Sequence, residues 1–179
     1  GLPTYAGLDL GMTDDMSAFV GVTQLSGGRV LVRARIWMPD GARETFRSRP
    51  YASWQREGAL TITDGDVTDF ARLEYDILEL CRAWNVVEIA YDKSFAEALR
   101  QRLEARDPDP RRAPALKDGV LLEQPQGYAL NMGIRQLSDD VVNGTLAHNG
   151  NPVLTWMASN AVVDIGTKGD LRLNKRKAR

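Results

Sequence analysis

The order in which strand and helix patterns follow one another is the feature that most constrains how this chain folds. Apolar or β-branched runs occupy residues 5–10, 18–25 and 29–38, and each of them predicts a strand. A Ser-Gly-Gly spacer at 26–28 separates the second run from the third, and such a spacer is typical of a hairpin. The chain therefore opens with a predicted antiparallel meander of three strands.

Helix and strand patterns alternate after the meander. Apolar residues recur every three or four positions between Phe70 and Trp84, which predicts a helix over residues 68–83. A short apolar strand at 86–91 follows, and a second apolar stripe begins a helix near residue 95. A helix between two strands of one sheet makes a right-handed crossover, so we expect the strand at 86–91 to lie parallel to a member of the meander.

The later part of the chain completes a recognisable order of elements. The predicted elements are a proline-rich loop at 107–114, a strand at 119–122, helices at 128–142 and 152–158, and a hairpin with strands at 161–165 and 171–173. Three antiparallel strands followed by helix, strand, helix, strand and helix are typical of the ribonuclease H-like fold. We therefore predict a single α/β domain over residues 1–179, with a mixed sheet flanked by helices and an added C-terminal β-hairpin.

Composition excludes several kinds of site. The chain has 179 residues, with 23 Lys and Arg against 24 Asp and Glu, which is an ordinary globular balance with a net charge of −1. Cys81 and His148 are the only residues of their types, so neither a disulfide within the chain nor a Cys/His zinc site is expected. No apolar run reaches the roughly 20 residues that span a bilayer, and no leader pattern is present, so we expect neither membrane insertion nor secretion. The chemistry is therefore expected to rest on carboxylates, hydroxyls or lysines.

Two acidic residues stand in apolar strand settings. Asp9 lies within the first predicted strand, and Asp92 follows the strand at 86–91. If these strands are neighbours, their carboxylates converge at one edge of the sheet, where Mg²⁺ or Mn²⁺ would find the oxygen ligands they prefer. Asp15, past Gly11, can fold back toward the same ions. The structural alternative is that each Asp caps a turn or a helix, a common role for aspartate.

Basic residues are concentrated near the end of the chain. Between residues 168 and 179 there are six of them against a single Asp170, a local balance of +5: Lys168, Arg172, Lys175, Arg176, Lys177 and Arg179. Such a run is either a solvated face or a site for a polyanion. By contrast, His148 beside Asn149-Gly150 is expected either to cap a turn or to lie exposed at the surface. Asp139-Asp140 is expected to lie on a solvated helix face, because adjacent helix positions point in different directions.

Four stretches of the sequence together resemble the nuclease domain of the large terminase subunits of tailed phages, the motors that package and cut viral DNA. They read GLDLGMTDDMSAF at 7–19, EIAYD at 88–92, QGY at 126–128 and LAHNGNPVLTWMASN at 146–160. The resemblance implies an endonuclease that cuts double-stranded DNA with little sequence preference by using two divalent ions, Mg²⁺ or Mn²⁺. It places Asp9 and Asp92 as metal-holding catalytic acids and Asp15 as a further acid.

The same resemblance implies partners and a larger protein. An ATPase domain would precede residue 1, the partners would be the small terminase subunit and the capsid portal, and the setting would be the host cytoplasm. The family's last catalytic Asp would lie beyond Arg179, and Asp164 and Asp170 are not expected to replace it. Contact with DNA would be mainly to phosphate, through the basic residues on and after the predicted hairpin: Lys168, Arg172, Lys175, Arg176 and Lys177.

Two other classes of function stay open at this point. The stretch around Asp9 also resembles the phosphate-binding opening of actin-like ATPases and sugar kinases, which share the underlying fold but need a second such subdomain. No Gly-x-x-x-x-Gly-Lys-Ser/Thr phosphate loop occurs in the sequence. The third hypothesis is a catalytically silent module that docks on DNA or on a portal. Cleavage of plasmid DNA and turnover of ATP discriminate among the three.

Overall fold

The structure is a computed structural model that describes residues 1–44, 49–104, 116, 119–174 and 177, with only the backbone described for 93–98. Nine strands lie in these ranges: β1 (Thr4–Asp9), β2 (Ser17–Gln24), β3 (Val30–Pro39), β4 (Thr61–Thr63), β5 (Val86–Tyr91), β6 (Leu121–Glu123), β7 (Leu146–His148), β8 (Val163–Ile165) and β9 (Leu171–Leu173). Five α-helices accompany them: α1 (Tyr51–Arg56), α2 (Phe70–Trp84), α3 (Lys93–Glu104), α4 (Asn131–Val142) and α5 (Pro152–Asn160).

Seven strands form one mixed sheet in the order β4-β3-β2-β1-β5-β6, with β7 also paired to β3. The three strands β1, β2 and β3 are antiparallel to one another, which confirms the predicted meander. Strand β5 lies parallel to β1, as the crossover rule predicted, and β6 lies parallel to β5. Strands β8 and β9 form a separate antiparallel hairpin. The predicted α/β fold class is therefore confirmed.

Helix α2 covers one face of the sheet because its sequence places apolar side chains on a single stripe. Asp69 caps its first turn by accepting a hydrogen bond from the backbone N–H of Arg72 at 3.0 Å, and Asn85 ends it in a left-handed conformation with φ 54°. A buried core forms where the stripe meets the sheet, and its members include Leu8, Phe19, Trp37, Leu73, Ile77 and Ile89. Cys81 is buried in the same core.

A second core lies on the other face of the sheet, under α1 and α5. It contains Ile36 and Met38 of β3, together with Tyr51, Trp54 and Val153 from the two helices. Proline at the start of α5 suits the first turn of a helix, and the side chain of Asn151 caps that turn. The two helices leave the β1 end of this face open, and Asp9 is exposed there.

A buried carboxylate joins α2 to the meander. Asp76 accepts hydrogen bonds from the indole Nε1 of Trp37 at 2.8 Å, from Arg72 at 3.0 Å and from Arg35 at 3.3 Å. Its side chain is only 9% exposed, so these three donors replace the water that the carboxylate loses on folding. The contact fixes how the helix sits on the sheet.

Most predicted elements are present, with small shifts in their bounds. The strand at 86–91 coincides with β5, whereas the first hairpin strand begins at Val163 and not at 161. Three elements were not predicted: α1, β4 and β7. Each has six residues or fewer, which is too short for a period of 2 or 3.6 to show in the sequence. In the described part of the chain, no helix is long and apolar enough to cross a membrane.

Candidate active site

The pairing of β1 with β5 positions the two acids predicted from the strand patterns. Leu8 and Tyr91 are register partners on these parallel strands, and both side chains are buried in the core under α2. Asp9 is the last residue of β1, and Asp92 directly follows β5. Because the carboxyl ends of parallel strands meet at one edge, the two acids occupy neighbouring positions there, as the sequence predicted. Asp9 is exposed and Asp92 is half-buried.

The loop after β1 is held by two hydroxyl side chains. Gly11 donates its N–H to Ser17 Oγ at 3.1 Å, and its carbonyl accepts hydrogen bonds from the hydroxyls of Ser17 and Thr68. A Cβ at Gly11 would lie 2.7 Å from the carbonyl carbon and oxygen of Asp15, so only glycine lets the loop pass this close. Asp15 Oδ1 accepts the N–H of Met16 at 2.8 Å. The loop thereby returns Asp15 toward the end of β1.

A cleft of about 490 Å³ opens beside Asp9, and we call it the acidic cleft. Three carboxylates line it, from Asp9, Asp14 and Asp15. Its remaining lining is mostly apolar and comes from the loop before β2, from β3, α1 and α5, and from the hairpin with its flanking residues: Met16, Met38, Tyr51, Trp156, Met157, Asn160, Ala161, Val162, Leu173 and Asn174. The structure therefore brings Asp9 and Asp15 to one cleft, whereas Asp92 does not line it and is related to Asp9 only by the pairing of β5 with β1.

The donor chemistry at this edge fits a hard divalent cation. Asp9 and Asp92 offer carboxylate oxygens, and Mg²⁺ is commonly held by one or two carboxylates, with water and substrate phosphate completing the coordination. Within the part of the chain that the structure describes, no group of three or more His, Cys, Asp or Glu side chains is arranged to hold a metal ion. Asp9 and Asp92 would therefore be only part of a metal's ligands, and water and a substrate phosphate would have to supply the others.

Other groups that carry out nucleophilic or acid–base chemistry lie outside this site. His148 ends β7, at the far side of β3, and its Nδ1 accepts the N–H of Gly150 at 3.1 Å. This confirms the predicted turn cap, although His148 belongs to a strand that was not predicted. Burial raises the pKa of Cys81 to about 12, so its thiol stays protonated at neutral pH.

The predicted DNA-binding residues fall into three groups. Lys168 lies in the turn between β8 and β9, whereas Lys175 and Arg176 lie outside the described residues. Arg172 and Lys177 both bind Asp164, at 3.4 Å and 3.1 Å. Hydrogen bonds from Lys177 and Asn174 hold the pKa of Asp164 below its usual value. These two cations therefore already have an internal carboxylate partner.

An aromatic group beside the cleft was not predicted from the sequence. The guanidinium of Arg49 lies 4.8 Å from the ring centroid of Trp156, and the Trp156 ring lies 5.7 Å from that of Trp54. Tyr51 contacts Trp54 edge to face at 5.8 Å. Trp156 lies more than 100 positions after the other three residues, and no local pattern links the group to Asp9. Only the packing of α5 against α1 reveals the group.

Comparison with known proteins agrees with this architecture. The model of the family described as "Terminase large subunit, endonuclease domain" matches residues 1–179. The large terminase subunit of Enterobacteria phage HK97 is 31% identical over 97% of this chain and 34% of its own length, and protein YmfN of Escherichia coli K12 is 25% identical over 90% and 36%. The crystal structure of the HK97 large terminase superposes with a TM-score of 0.84 at 30% identity, covering 99% of this chain and 36% of that one. The chain thus spans about a third of the length of these relatives, and it belongs to the family of terminase large subunit endonuclease domains.

Proposed function

We propose that this chain cuts double-stranded DNA during genome packaging, with little sequence preference, by two-metal-ion hydrolysis of a phosphodiester. The observation that carries the proposal is the placement of Asp9 and Asp92 at the ends of two adjacent parallel strands. Family membership supports the endonuclease class of activity. The two-metal mechanism rests on the donor set alone.

In this mechanism Asp9 and Asp92 would hold the metal, with Asp15 as a further acid. Mg²⁺ or Mn²⁺, when bound, would supply positive charge for the scissile phosphate and lower the pKa of a water. Hydrolysis would join a water oxygen to phosphorus and break one P–O bond of the strand, and the released strand oxygen would take up a proton. No imidazole lines the acidic cleft among the described residues, so the carboxylates position the reactants and no histidine serves as a general base.

Charge makes this site dependent on cations. Asp9, Asp14 and Asp15 line a single cleft in a chain whose net charge is −1, so an unscreened DNA phosphate is repelled there. The hairpin region would offer positive charge through Lys168, and Arg172 and Lys177 would add theirs by exchanging Asp164 for phosphate. Lys175 and Arg176 belong to the same basic run of the sequence. Contacts of this kind are made to phosphate, so they are blind to sequence and sensitive to salt.

Family membership also supports a proposal about the larger assembly in which this domain works. We propose that the domain works with an ATPase domain of the same protein, with a small terminase subunit and with a capsid portal, in the cytoplasm of the host. These partners would bring the duplex to the site and set the time of the cut.

Cleavage of supercoiled plasmid tests the proposal. Both the 179-residue chain and the full-length protein are incubated with plasmid in Mg²⁺, in Mn²⁺ and in EDTA. We expect nicked and linear DNA from the full-length protein with either ion, none in EDTA, and a loss of at least about 100-fold in its rate for Asp9→Asn and Asp92→Asn. Asp139→Asn removes the same charge from an exposed position on α4 and is the matched control.

Three results would overturn the proposal. Cleavage that persists in both Asp9→Asn and Asp92→Asn would place the chemistry elsewhere. Turnover of ATP by the 179-residue chain without DNA damage would favour the kinase-like hypothesis. Absence of cleavage in the full-length protein, with DNA binding intact, would favour the docking module.

A further inference from the structure

We propose that the acidic cleft receives one nucleoside of the strand being cut, so that this nucleoside leaves the base stack next to the scissile phosphate. The inference rests on the proposed function, because it takes Asp9 as the residue beside that phosphate. It adds a substrate subsite that the two acids alone do not define.

Two kinds of residue line the cleft. Asp9, Asp14 and Asp15 contribute carboxylates, next to which a phosphate is accepted only together with cations. Tyr51 and Trp156 contribute aromatic rings, and methionine side chains add further apolar surface. Apolar and aromatic surface of this kind suits a base and a sugar and gives a phosphate no hydrogen-bond donor. A strand whose phosphate lies by Asp9 would therefore place its nucleoside against the apolar part of the lining.

The size of the cleft limits what it can take. At about 490 Å³ it lies within the range of roughly 300–1,000 Å³ that is typical of pockets for single small molecules. A B-form duplex, with a major groove alone about 12 Å wide, is too large to enter. One nucleoside drawn out of the duplex is the part of DNA that fits.

Arg49 supplies positive charge next to the aromatic wall. Its guanidinium is held against the Trp156 ring at 4.8 Å, and its Nε is buried without a hydrogen-bond partner among the described atoms. A buried donor of this kind is costly unless a ligand or water satisfies it. The phosphate next to the bound nucleoside is an acceptor of the right charge. Arg49 and Asp9 would then hold successive phosphates on either side of one nucleoside.

The indole resonances of the intact chain test this inference directly. The chain has four tryptophans, so ¹⁵N labelling gives four indole signals, each assigned by a Trp→Phe substitution. Deoxynucleoside 5′-monophosphates are titrated into the millimolar range in the presence of Mg²⁺. We expect a saturable shift of the Trp156 signal and no shift of the Trp84 signal. Trp84 is a matched reference, since Arg33 lies 4.7 Å from its ring on the other face of the sheet.

Deoxyribose 5-phosphate separates base recognition from phosphate binding. We expect it to shift the Trp156 signal at least about five-fold less at equal concentration, because it lacks the base that stacks. An equal shift would show a phosphate site only and would overturn the nucleoside subsite. Absence of any Trp156 shift, or an equal shift at Trp84, would overturn it as well.

A cleavage map links the subsite to the reaction. A mismatched base costs less to unstack than a paired one, so we expect cuts beside a mismatch to exceed those at the same position in a paired duplex by about five-fold or more. Trp156→Leu should lose this enrichment, whereas Trp156→Phe should retain most of it. Equal cleavage at mismatched and paired positions, abolished by Asp9→Asn, would overturn the nucleoside subsite and would still agree with the proposed nuclease function. If the parent protein cleaved neither duplex, that result would count against the proposed function, and the indole titration would still decide whether the subsite exists.

Discussion

Leu8 and Tyr91 are register partners on parallel strands, and this pairing places the residues that follow them, Asp9 and Asp92, side by side at one edge of the sheet. The two buried side chains fix the register because a slip of one residue would turn them out of the core under α2. Hydrophobic packing beneath the sheet therefore aligns the acids at its rim. The strand register is thus the feature that brings the two acids to neighbouring positions.

Gly11→Ala should disturb the site through its backbone. The added Cβ would lie 2.7 Å from the carbonyl of Asp15, so the loop must shift to make room. We expect a loss of about 1–3 kcal/mol in the free energy of unfolding, measured in urea, and a cleavage rate lowered at least about ten-fold. Gly7→Ala, in β1, meets no atom within 4 Å and is the control. Equal effects of the two substitutions would contradict this role for Gly11.

Asp76→Ala should be strongly destabilising. The change leaves the buried indole N–H of Trp37 without its acceptor and removes the partner of Arg35 and Arg72. We expect the free energy of unfolding to fall by about 3 kcal/mol. The exposed Asp139→Ala should stay within about 0.5 kcal/mol of the parent chain. A fall of less than about 1 kcal/mol for Asp76→Ala would show that these hydrogen bonds do not anchor α2.

Asp164→Asn should strengthen DNA binding. The carboxylate of Asp164 holds Arg172 and Lys177, and its removal releases both cations for phosphate. We expect tighter binding to a short duplex and a salt dependence steeper by up to about two in log K against log [salt], since each of the two released cations adds about 0.9 when it contacts a phosphate. Asp139→Asn changes the net charge equally at another place. Equal DNA affinity and salt dependence for Asp164→Asn and Asp139→Asn would show that only the net charge matters, and would contradict the release of Arg172 and Lys177.

Cys81 should report the integrity of the core through its pH dependence. Burial raises its pKa from 9.0 to about 12 in the folded chain, so the folded state favours the neutral thiol. The stabilisation is complete below pH 9 and is lost as the pH rises from about 9 to 12. At pH 8 we expect alkylation by iodoacetamide to be at least about ten-fold slower in the native chain than in urea. Equal rates would mean that the α2 core is open.

The sequence predicts the strands that carry the acids of the site better than it predicts the aromatic residues that line the cleft. Strand β5 has the predicted bounds because its six residues form one short, mostly apolar run in the sequence, and the parallel crossover then follows from chain handedness. The sequence proposes Asp9 and Asp92 as site acids because each is a charged residue in an apolar strand setting, and their role stays a prediction. The hairpin was located by its Gly-Thr-Lys-Gly turn, even though its first strand is shorter than predicted.

The aromatic wall escaped prediction because only tertiary packing creates it. Tyr51 belongs to a six-residue helix without a repeated stripe, and Trp156 reads as an ordinary core residue of α5. Strand β7 was also missed, since three residues cannot show an alternation and its pairing partner in β3 lies more than 100 positions earlier. Features made by long-range contacts carry no local signal in a single sequence.

The position of bound Mn²⁺, located by anomalous X-ray scattering in crystals of the parent chain with a short duplex and in crystals of Asp9→Asn, tests the central claim most directly. We predict anomalous peaks within coordination distance of the carboxylate oxygens of both Asp9 and Asp92, and their loss in the variant. Ions bound only at other carboxylates, or peaks that survive in Asp9→Asn, would contradict the assignment of these two acids as the metal-holding pair.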